Sequence, residues 1–121
     1  MMTNQHITER TIAYAVRIVY LFQALEENSA GRIIGKQLLR AGTSIGANVH
    51  EAQGAQSKPD FITKLTIAQK EANESLYWLR IIQETQLVPP QRITDLYAET
   101  EQLIKIIASI IVKTRRNMEG D

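Results

Sequence analysis

The sequence predicts an all-α protein, an antiparallel up-down four-helix bundle. Apolar residues recur every three or four positions in four long segments, which is the period of an amphipathic helix. Only three prolines and six glycines occur, and β-branched residues do not alternate with polar ones, so helices are favoured over sheets. At 121 residues, the chain is expected to form one domain, residues 1–121.

Composition narrows the classes of function. The 14 basic and 13 acidic residues give a net charge of +1, so no strong non-specific attraction to nucleic acid or anionic membranes is expected. The chain has no cysteine, which removes disulfides and thiolate chemistry and fits a reducing compartment. No apolar run predicts a signal peptide or a membrane span. These features predict a cytoplasmic protein without a membrane partner.

The first helix is predicted from about Ile7 to Glu27. Its two adjacent apolar faces suit a helix with neighbours on two sides. Residues 26–31 then predict a turn, with Ser29 capping the next helix. One face carries Ile12, Ala15, Val19 and Phe22, and the other carries Tyr14, Ile18, Leu21 and Leu25.

The second helix is predicted from about Ala30 to Gly54. Each glycine inside a helix costs about 1 kcal/mol of stability relative to alanine. We therefore expect tertiary contacts to explain the glycines at Gly35, Gly42 and Gly46. Gly42 and Gly46 share a face, where a neighbouring helix can approach closely. The predicted core row is Ile34, Leu38, Ala41, Ile45, Val49 and Ala52.

The third helix is predicted from about Pro59 to Glu84. Ser57 is the expected N-cap, proline is tolerated in the first turn, and Asp60 takes the third position of a capping box. Apolar residues outside the core row extend the apolar surface to a second face. The predicted core row is Phe61, Leu65, Ala68, Ala72, Leu76 and Leu79.

The fourth helix is predicted from about Pro90 to Arg116, with residues 117–121 frayed. Acidic Asp95 and Glu99 lie early and basic residues lie late, an order that complements the helix dipole. Its broad apolar stripe comprises Ile93, Leu96, Tyr97, Leu103, Ile104, Ile107, Ile110 and Ile111.

One short motif suggests catalysis. Residues 42–46, Gly-Thr-Ser-Ile-Gly, match the G-x-S-x-G pattern of a hydrolase nucleophile elbow. That motif requires a strand before it and a helix after it, whereas here it lies inside a predicted helix. We therefore interpret the small residues as helix contacts and predict that the protein is not an enzyme.

A bundle metal site is a second possibility. Four-helix bundles hold metals through glutamates and Glu-x-x-His pairs. No such pair occurs, and the second histidine, His6, lies near the N-terminus, so there are too few ligands. Glu71 and Glu74 are instead expected to be solvated or to pair with Lys70 or Arg40. We predict no metal and no cofactor; the candidate ligands were His50, Glu51, Glu71 and Glu74.

Basic residues form a short ridge on the second helix and a cluster at the end of the fourth. Such surfaces can contact nucleic-acid phosphates, although a solvated face with ordinary ion pairs is the alternative. An oligomeric ring would repeat the ridge and strengthen its field. The candidate nucleic-acid-binding residues are Arg32, Lys36, Arg40, Lys113, Arg115 and Arg116.

Several residues are candidates for contacts across the bundle or between subunits. Asn48 is either exposed or a buried amide that sets register against a partner helix. Tyr77 and Trp78 point about 100° apart, so one of them is expected to face a loop, a subunit boundary or a partner. The candidate interface residues are Gly42, Gly46, Asn48, Glu51, Tyr77 and Trp78.

The second and third helices resemble a known family. Residues 37–51 follow the pattern Q-L-x-R-A/S-x-x-S-I-x-A-N-x-x-E, and residues 57–61 and 70–79 follow with a serine, an acidic-Phe pair and K-E-A-x-E-x-x-Y-W-L. This is similar to the four-helix-bundle family found as open reading frames in intervening sequences of bacterial large-subunit ribosomal RNA genes. The similarity covers nearly the whole chain.

This resemblance implies a left-handed antiparallel bundle that assembles into a ring-like homopentamer. Most members have no established activity, and a related branch serves as the accessory protein of diversity-generating retroelements, binding reverse transcriptase and nucleic acid through a basic surface. The first hypothesis is therefore a non-enzymatic oligomeric scaffold or partner-binding module. The second is nucleic-acid or ribonucleoprotein binding through a basic surface of the oligomer.

Overall fold

The computed structural model describes residues 4–120, all of whose regular structure is helical. The predicted all-α class with four helices is confirmed. Residues 1–3 and Asp121, which belong to the predicted domain, lie outside the described residues. No helix of the described part is long and apolar enough to cross a bilayer. The helices are α1 (Asn4–Leu25), α2 (Ser29–Gln53), α3 (Lys58–Thr85) and α4 (Gln91–Gly120).

The helix caps are partly those predicted. Ser57 caps α3, because its Oγ accepts a hydrogen bond from the backbone N of Asp60 at 3.1 Å. The cap of α2 is Asn28 rather than Ser29: Asn28 is extended, and its Oδ1 accepts from the Gly31 backbone N at 2.9 Å. The prediction failed because serine and asparagine are both good N-caps. The backbone conformation puts Ser29 already inside the helix.

Two other expectations for the helices are wrong. α4 continues to Gly120, so residues 117–120 are helical; no proline or glycine interrupts the helix before that residue. In α3 the core position that follows Ala72 is Ser75, which is fully buried, whereas Leu76 is half-buried. The buried positions are therefore spaced by three residues from Ala72 to Ser75 and by four residues from Ser75 to Leu79.

Each helix packs against two others. α1 packs its backbone closely against α2 and α4, and α3 packs against the same two helices. Across the diagonal between α1 and α3, the side chain of Tyr14 reaches Ser75. Along α1 and α2 the contacts run in opposite order, with Leu25 beside Gly35 and Thr11 beside Gly46. The helices therefore occupy the four corners of a square, in chain order.

A polar layer crosses the otherwise apolar core. The Tyr14 hydroxyl lies 2.7 Å from Thr100 Oγ1 and also bonds to Ser75. Thr100 and Ser75 donate in turn to carbonyl oxygens of their own helices, at 2.7 and 2.9 Å. Burial raises the pKa of the Tyr14 phenol to about 12, while its hydrogen bonds act in the opposite direction. A small residue at position 75 makes room for this phenol, which explains the placement of Ser75.

The two apolar faces of α1 have different surroundings. The face that carries Tyr14 and Ile18 is buried in the core. On the other face, Ile12, Val16 and Val19 remain 50%, 46% and 38% exposed. Large aliphatic side chains in a contiguous row on one helix are an unusual surface for a monomer. This row therefore marks α1 as a candidate interaction surface.

Candidate interaction surfaces

Arg40 belongs to an ion-pair network between α2 and α3. Its Nη1 lies 2.9 Å from Glu71 Oε2, and its Nη2 pairs with Glu74. Glu74 also accepts a hydrogen bond from Trp78 Nε1 at 3.1 Å. Of the alternatives that the sequence left open for these glutamates, solvation or a pair with Lys70 or Arg40, the structure shows the pair with Arg40. Because two carboxylates surround its guanidinium, Arg40 is a poor phosphate ligand in this conformation.

The remaining basic residues fall into two separate groups. Arg32 and Lys36 are exposed on α2, and their side chains form no ion pair within the described part of the chain. Arg115 and Arg116 are exposed near the end of α4, beside Lys113, which has a partner.

The helix contacts place these groups at opposite ends of the bundle. Arg80, late in α3, interacts with Tyr97, early in α4. Contacts along α2 and α3 run in opposite order, with Glu51 beside Lys64 and Arg40 beside Glu74, so early α2 lies beside late α3. At 1.5 Å per residue, Arg115 lies about 27 Å beyond Tyr97 along α4. One chain therefore does not bring the six predicted nucleic-acid-binding residues together.

The metal candidates are also dispersed. His50 and Glu51 are exposed, and Glu51 lies 3.5 Å from Lys64. Glu71 and Glu74 are held by Arg40. Within residues 4–120, no group of three or more metal-ligating side chains comes together.

The Gly-Thr-Ser-Ile-Gly segment is a contact surface inside the chain. A Cβ at Gly42 would lie 3.0 Å from Ile18, and one at Gly46 would lie 3.1 Å from Thr11, so both glycines admit α1. The Ser44 hydroxyl donates to the Arg40 carbonyl oxygen at 2.6 Å. The segment is continuous helix, without the strand-to-helix turn of a nucleophile elbow. Both glycines thus admit α1 within the bundle, and Gly46 remains partly exposed between the two helices.

Asn48 corresponds to neither alternative that the sequence left open. It is half-buried, and its Nδ2 donates to the Ser44 carbonyl oxygen of its own helix at 2.9 Å. The amide thus bonds within α2, and among the described residues of one chain it sets no register between two helices.

An open groove lies between α1 and α2. It has a volume of about 360 Å³, and most of its lining is apolar. The exposed α1 row forms one wall, and α2 supplies the other together with the imidazole of His50. We call it the α1–α2 groove; it is lined by Thr11, Ile12, Ala15, Val16, Val19, Thr43, Gly46, Ala47 and His50.

Sequence reasoning identified only part of this groove. The second apolar face of α1 was recognised, but Ala47 and His50 were not assigned to the same surface. The sequence feature that could have predicted the groove is the pair Gly42 and Gly46. α1 approaches α2 closely at these glycines, and two close helices leave a shallow groove between the residues that flank their contact.

Tyr77 and Trp78 form an aromatic pair on α3. Their ring centroids lie 5.0 Å apart with an interplanar angle of 76°, an edge-to-face arrangement. Trp78 is half-buried and bonds to Glu74, whereas Tyr77 is 58% exposed. The prediction that the two rings face different surroundings agrees with this geometry. Tyr77 is the more available for contact with a partner.

Comparison with known proteins places the chain among bacterial relatives. A family model described as 23S rRNA-intervening sequence protein matches residues 3–109. A crystal structure of a protein with unknown function from the S23 ribosomal protein family of Bacteroides thetaiotaomicron is similar, with a TM-score of 0.83 and 41% sequence identity. The alignment covers 87% of this chain and 97% of that one. No curated protein matches.

Proposed function

The chain belongs to the 23S rRNA-intervening sequence protein family, and from that membership we propose that it is a non-enzymatic, antiparallel four-helix bundle that assembles into a ring-like homopentamer. The assembly acts in the cytoplasm as a scaffold or partner-binding module. The opposite order of contacts along α1 and α2 supports the antiparallel arrangement. The pentameric number follows from resemblance to the family.

The observation that carries the proposal is the exposed apolar row on α1. Ile12, Val16 and Val19 retain a third to a half of their accessible surface in one chain. Burying a large aliphatic side chain fully is worth about 1.5–3 kcal/mol. The three partial burials would therefore contribute about 2–4 kcal/mol to each contact between subunits. A contact of that size, repeated around a closed ring, favours a stable oligomer.

The chemistry of the described side chains supports a non-enzymatic role. Tyr14 has a strongly shifted pKa, but its phenol is buried and its hydroxyl is bonded to Thr100. Perturbed groups that serve catalysis normally lie in a cleft. The exposed histidine of the α1–α2 groove, His50, has no carboxylate beside it among the groove residues. The two hydroxyls of the groove, those of Thr11 and Thr43, donate to carbonyl oxygens of their own helices.

Light scattering coupled to size-exclusion chromatography tests the assembly. Val16→Asp should shift the wild-type oligomer towards monomer, because it places a charge in the apolar contact. Val112→Asp is a matched control: Val112 is also 46% exposed, but it lies on α4 outside the groove. A wild-type protein that is monomeric at micromolar concentration contradicts the proposal. So does dissociation by the Val112 variant alone.

A second candidate function is binding of nucleic acid or ribonucleoprotein. It rests on Arg32 and Lys36, two exposed cations one turn apart with no ion pair in the described chain. A ring would bring several copies of this pair to one end of the assembly.

RNA binding measured across a salt series tests this candidate. Charge reversal of both residues should weaken binding and reduce its salt dependence. Reversal of Lys70, an exposed lysine of α3, is the control. Affinity that is indifferent to salt, or to the Arg32 and Lys36 changes, rules out this candidate.

A further inference from the structure

A ring needs two unlike surfaces on every subunit, because each copy contacts one neighbour with one patch and the other neighbour with a different patch. The α1–α2 groove is one such surface. We infer that its occupant is Tyr77 of the adjacent copy, which inserts its ring against Val16 and bonds its hydroxyl to His50. The inference rests on the proposed homo-oligomer and names the contact that forms it.

Tyr77 has the properties of an anchor residue. More than half of its surface is exposed, and tyrosine is among the residues that dominate binding at interfaces. Its ring packs edge-to-face on Trp78. Trp78 is in turn held by Glu74, which is paired with Arg40 of α2. The ring is thus supported before binding, which lowers the entropy lost when it is buried.

The groove matches this side chain in shape and chemistry. From Ile12 to Val19 its α1 wall extends about 10 Å, which is long enough for one aromatic ring. Its apolar lining suits the ring face. His50 stands at its edge, with no hydrogen bond or ion pair of its imidazole within the described residues. The Tyr77 hydroxyl likewise has no partner there, so the two polar groups complement each other.

The placement of the two surfaces permits a ring. With the helices at the corners of a square, the groove faces the side between α1 and α2. Tyr77 is exposed on the outer side of α3. Trp78 lies on the side of α3 that contacts α2, because it bonds to Glu74, which pairs with Arg40. The groove and Tyr77 therefore face different directions, as the two unlike patches of a ring subunit must.

Disulfide trapping tests the contact directly, since the chain contains no cysteine. We expect the double variant Val16→Cys and Tyr77→Cys to give a ladder of covalent oligomers after mild oxidation on a non-reducing gel. A mixture of the two single variants should give covalent dimers only. The matched control is Val16→Cys with Thr66→Cys, because Thr66 is exposed on α3 about 16 Å from position 77 along the helix; it should stay uncrosslinked.

The possible outcomes separate the inference from the proposed function. If the reduced double variant is itself an oligomer by light scattering but gives no Val16–Tyr77 ladder, the inference is overturned and the assembly stands. Self-crosslinking of the Val16→Cys single variant also overturns it, because a symmetric contact would then pair two grooves. A monomer by light scattering overturns both.

Tyr77→Ala provides an independent measurement. Because Tyr77 is largely exposed in the single chain, the substitution should leave the helical content unchanged. It should weaken the contact between subunits about 10- to 100-fold, the usual effect of removing an anchor residue. Assembly that is unaffected by this substitution contradicts the inference.

Discussion

At the scale of single residues, the burial of Tyr14 makes the stability of the fold depend on pH. The phenol lies in the core, and its pKa is raised to about 12, first by burial. In the unfolded chain the phenol ionises near its ordinary pKa of about 10. The folded state therefore binds the proton more tightly, and stability is unaffected below about pH 10 but falls as pH rises towards 12.

This leads to a stability prediction for Tyr14. The free energy of unfolding of the wild type should fall by about 2–3 kcal/mol between pH 10 and 12 through this group. Tyr14→Phe should remove that part of the slope and cost about 1 kcal/mol at neutral pH, because Thr100 and Ser75 keep their backbone acceptors. Urea unfolding at several alkaline pH values measures both. Identical slopes in the two proteins would contradict the assignment.

Gly31 illustrates a close approach that involves the backbone. A Cβ at this position would lie 2.3 Å from the carbonyl oxygen of Leu25, whereas one at Gly42 would meet only the side chain of Ile18 at 3.0 Å. A side chain can adjust its rotamer, but a carbonyl moves only with its helix. The contact explains why a glycine follows the turn.

Gly31→Ala should therefore destabilise the fold by about 1–3 kcal/mol, as overpacking does. Gly42→Ala should change stability by less than about 1 kcal/mol, because the gain in helix propensity offsets the tighter contact. Chemical denaturation of the two variants compares them under identical conditions. Equal losses would show that the Leu25 carbonyl is not the limiting contact.

At the scale of helices, the start of α2 shows which of two similar residues is the cap. Asn28→Ala should cost about 1 kcal/mol, because it removes the acceptor for the Gly31 amide. Ser29→Ala should cost no more than a few tenths, since Ser29 is already helical. Thermal unfolding followed by circular dichroism measures the difference. A larger loss for the Ser29 variant would reverse the assignment.

The sequence was most informative at this scale. The existence of all four helices and their approximate bounds were predictable, except for the end of α4, because apolar spacing and the cap at Ser57 are local properties. The pairing of Glu71 and Glu74 with Arg40 was among the alternatives that the sequence left open, since opposite charges on adjacent helices favour contact. The burial of Ser75 was not foreseen. It depends on the position of the Tyr14 phenol, which arrives from another helix.

At the scale of the whole molecule, assembly should make stability depend on concentration. If the oligomer dissociates as it unfolds, the wild-type Tm should rise over a hundredfold increase in protein concentration. Val16→Asp should have a lower Tm that does not change with concentration, while Val112→Asp should behave like the wild type. Calorimetry at several concentrations measures this. A constant wild-type Tm would argue against assembly through α1.

The candidate surfaces were predictable only in part. Tyr77 and the second apolar face of α1 could be identified, because exposed aromatics and wide apolar stripes are visible in a helical pattern. The α1–α2 groove required the structure, because its two walls lie more than 20 residues apart in the chain. The same long-range geometry separated Arg32 from Arg115 and involved Arg40 in an ion-pair network.

By itself, the sequence determined the class of fold, the four helices and which residue types could line a core. It did so because periodicity and capping act within a few residues. Tertiary structure alone decided which face of α1 is buried, that Gly42 and Gly46 receive α1, and that a groove containing His50 remains open. These features depend on how one helix packs against another. That arrangement is set by the shapes of side chains that are distant in sequence.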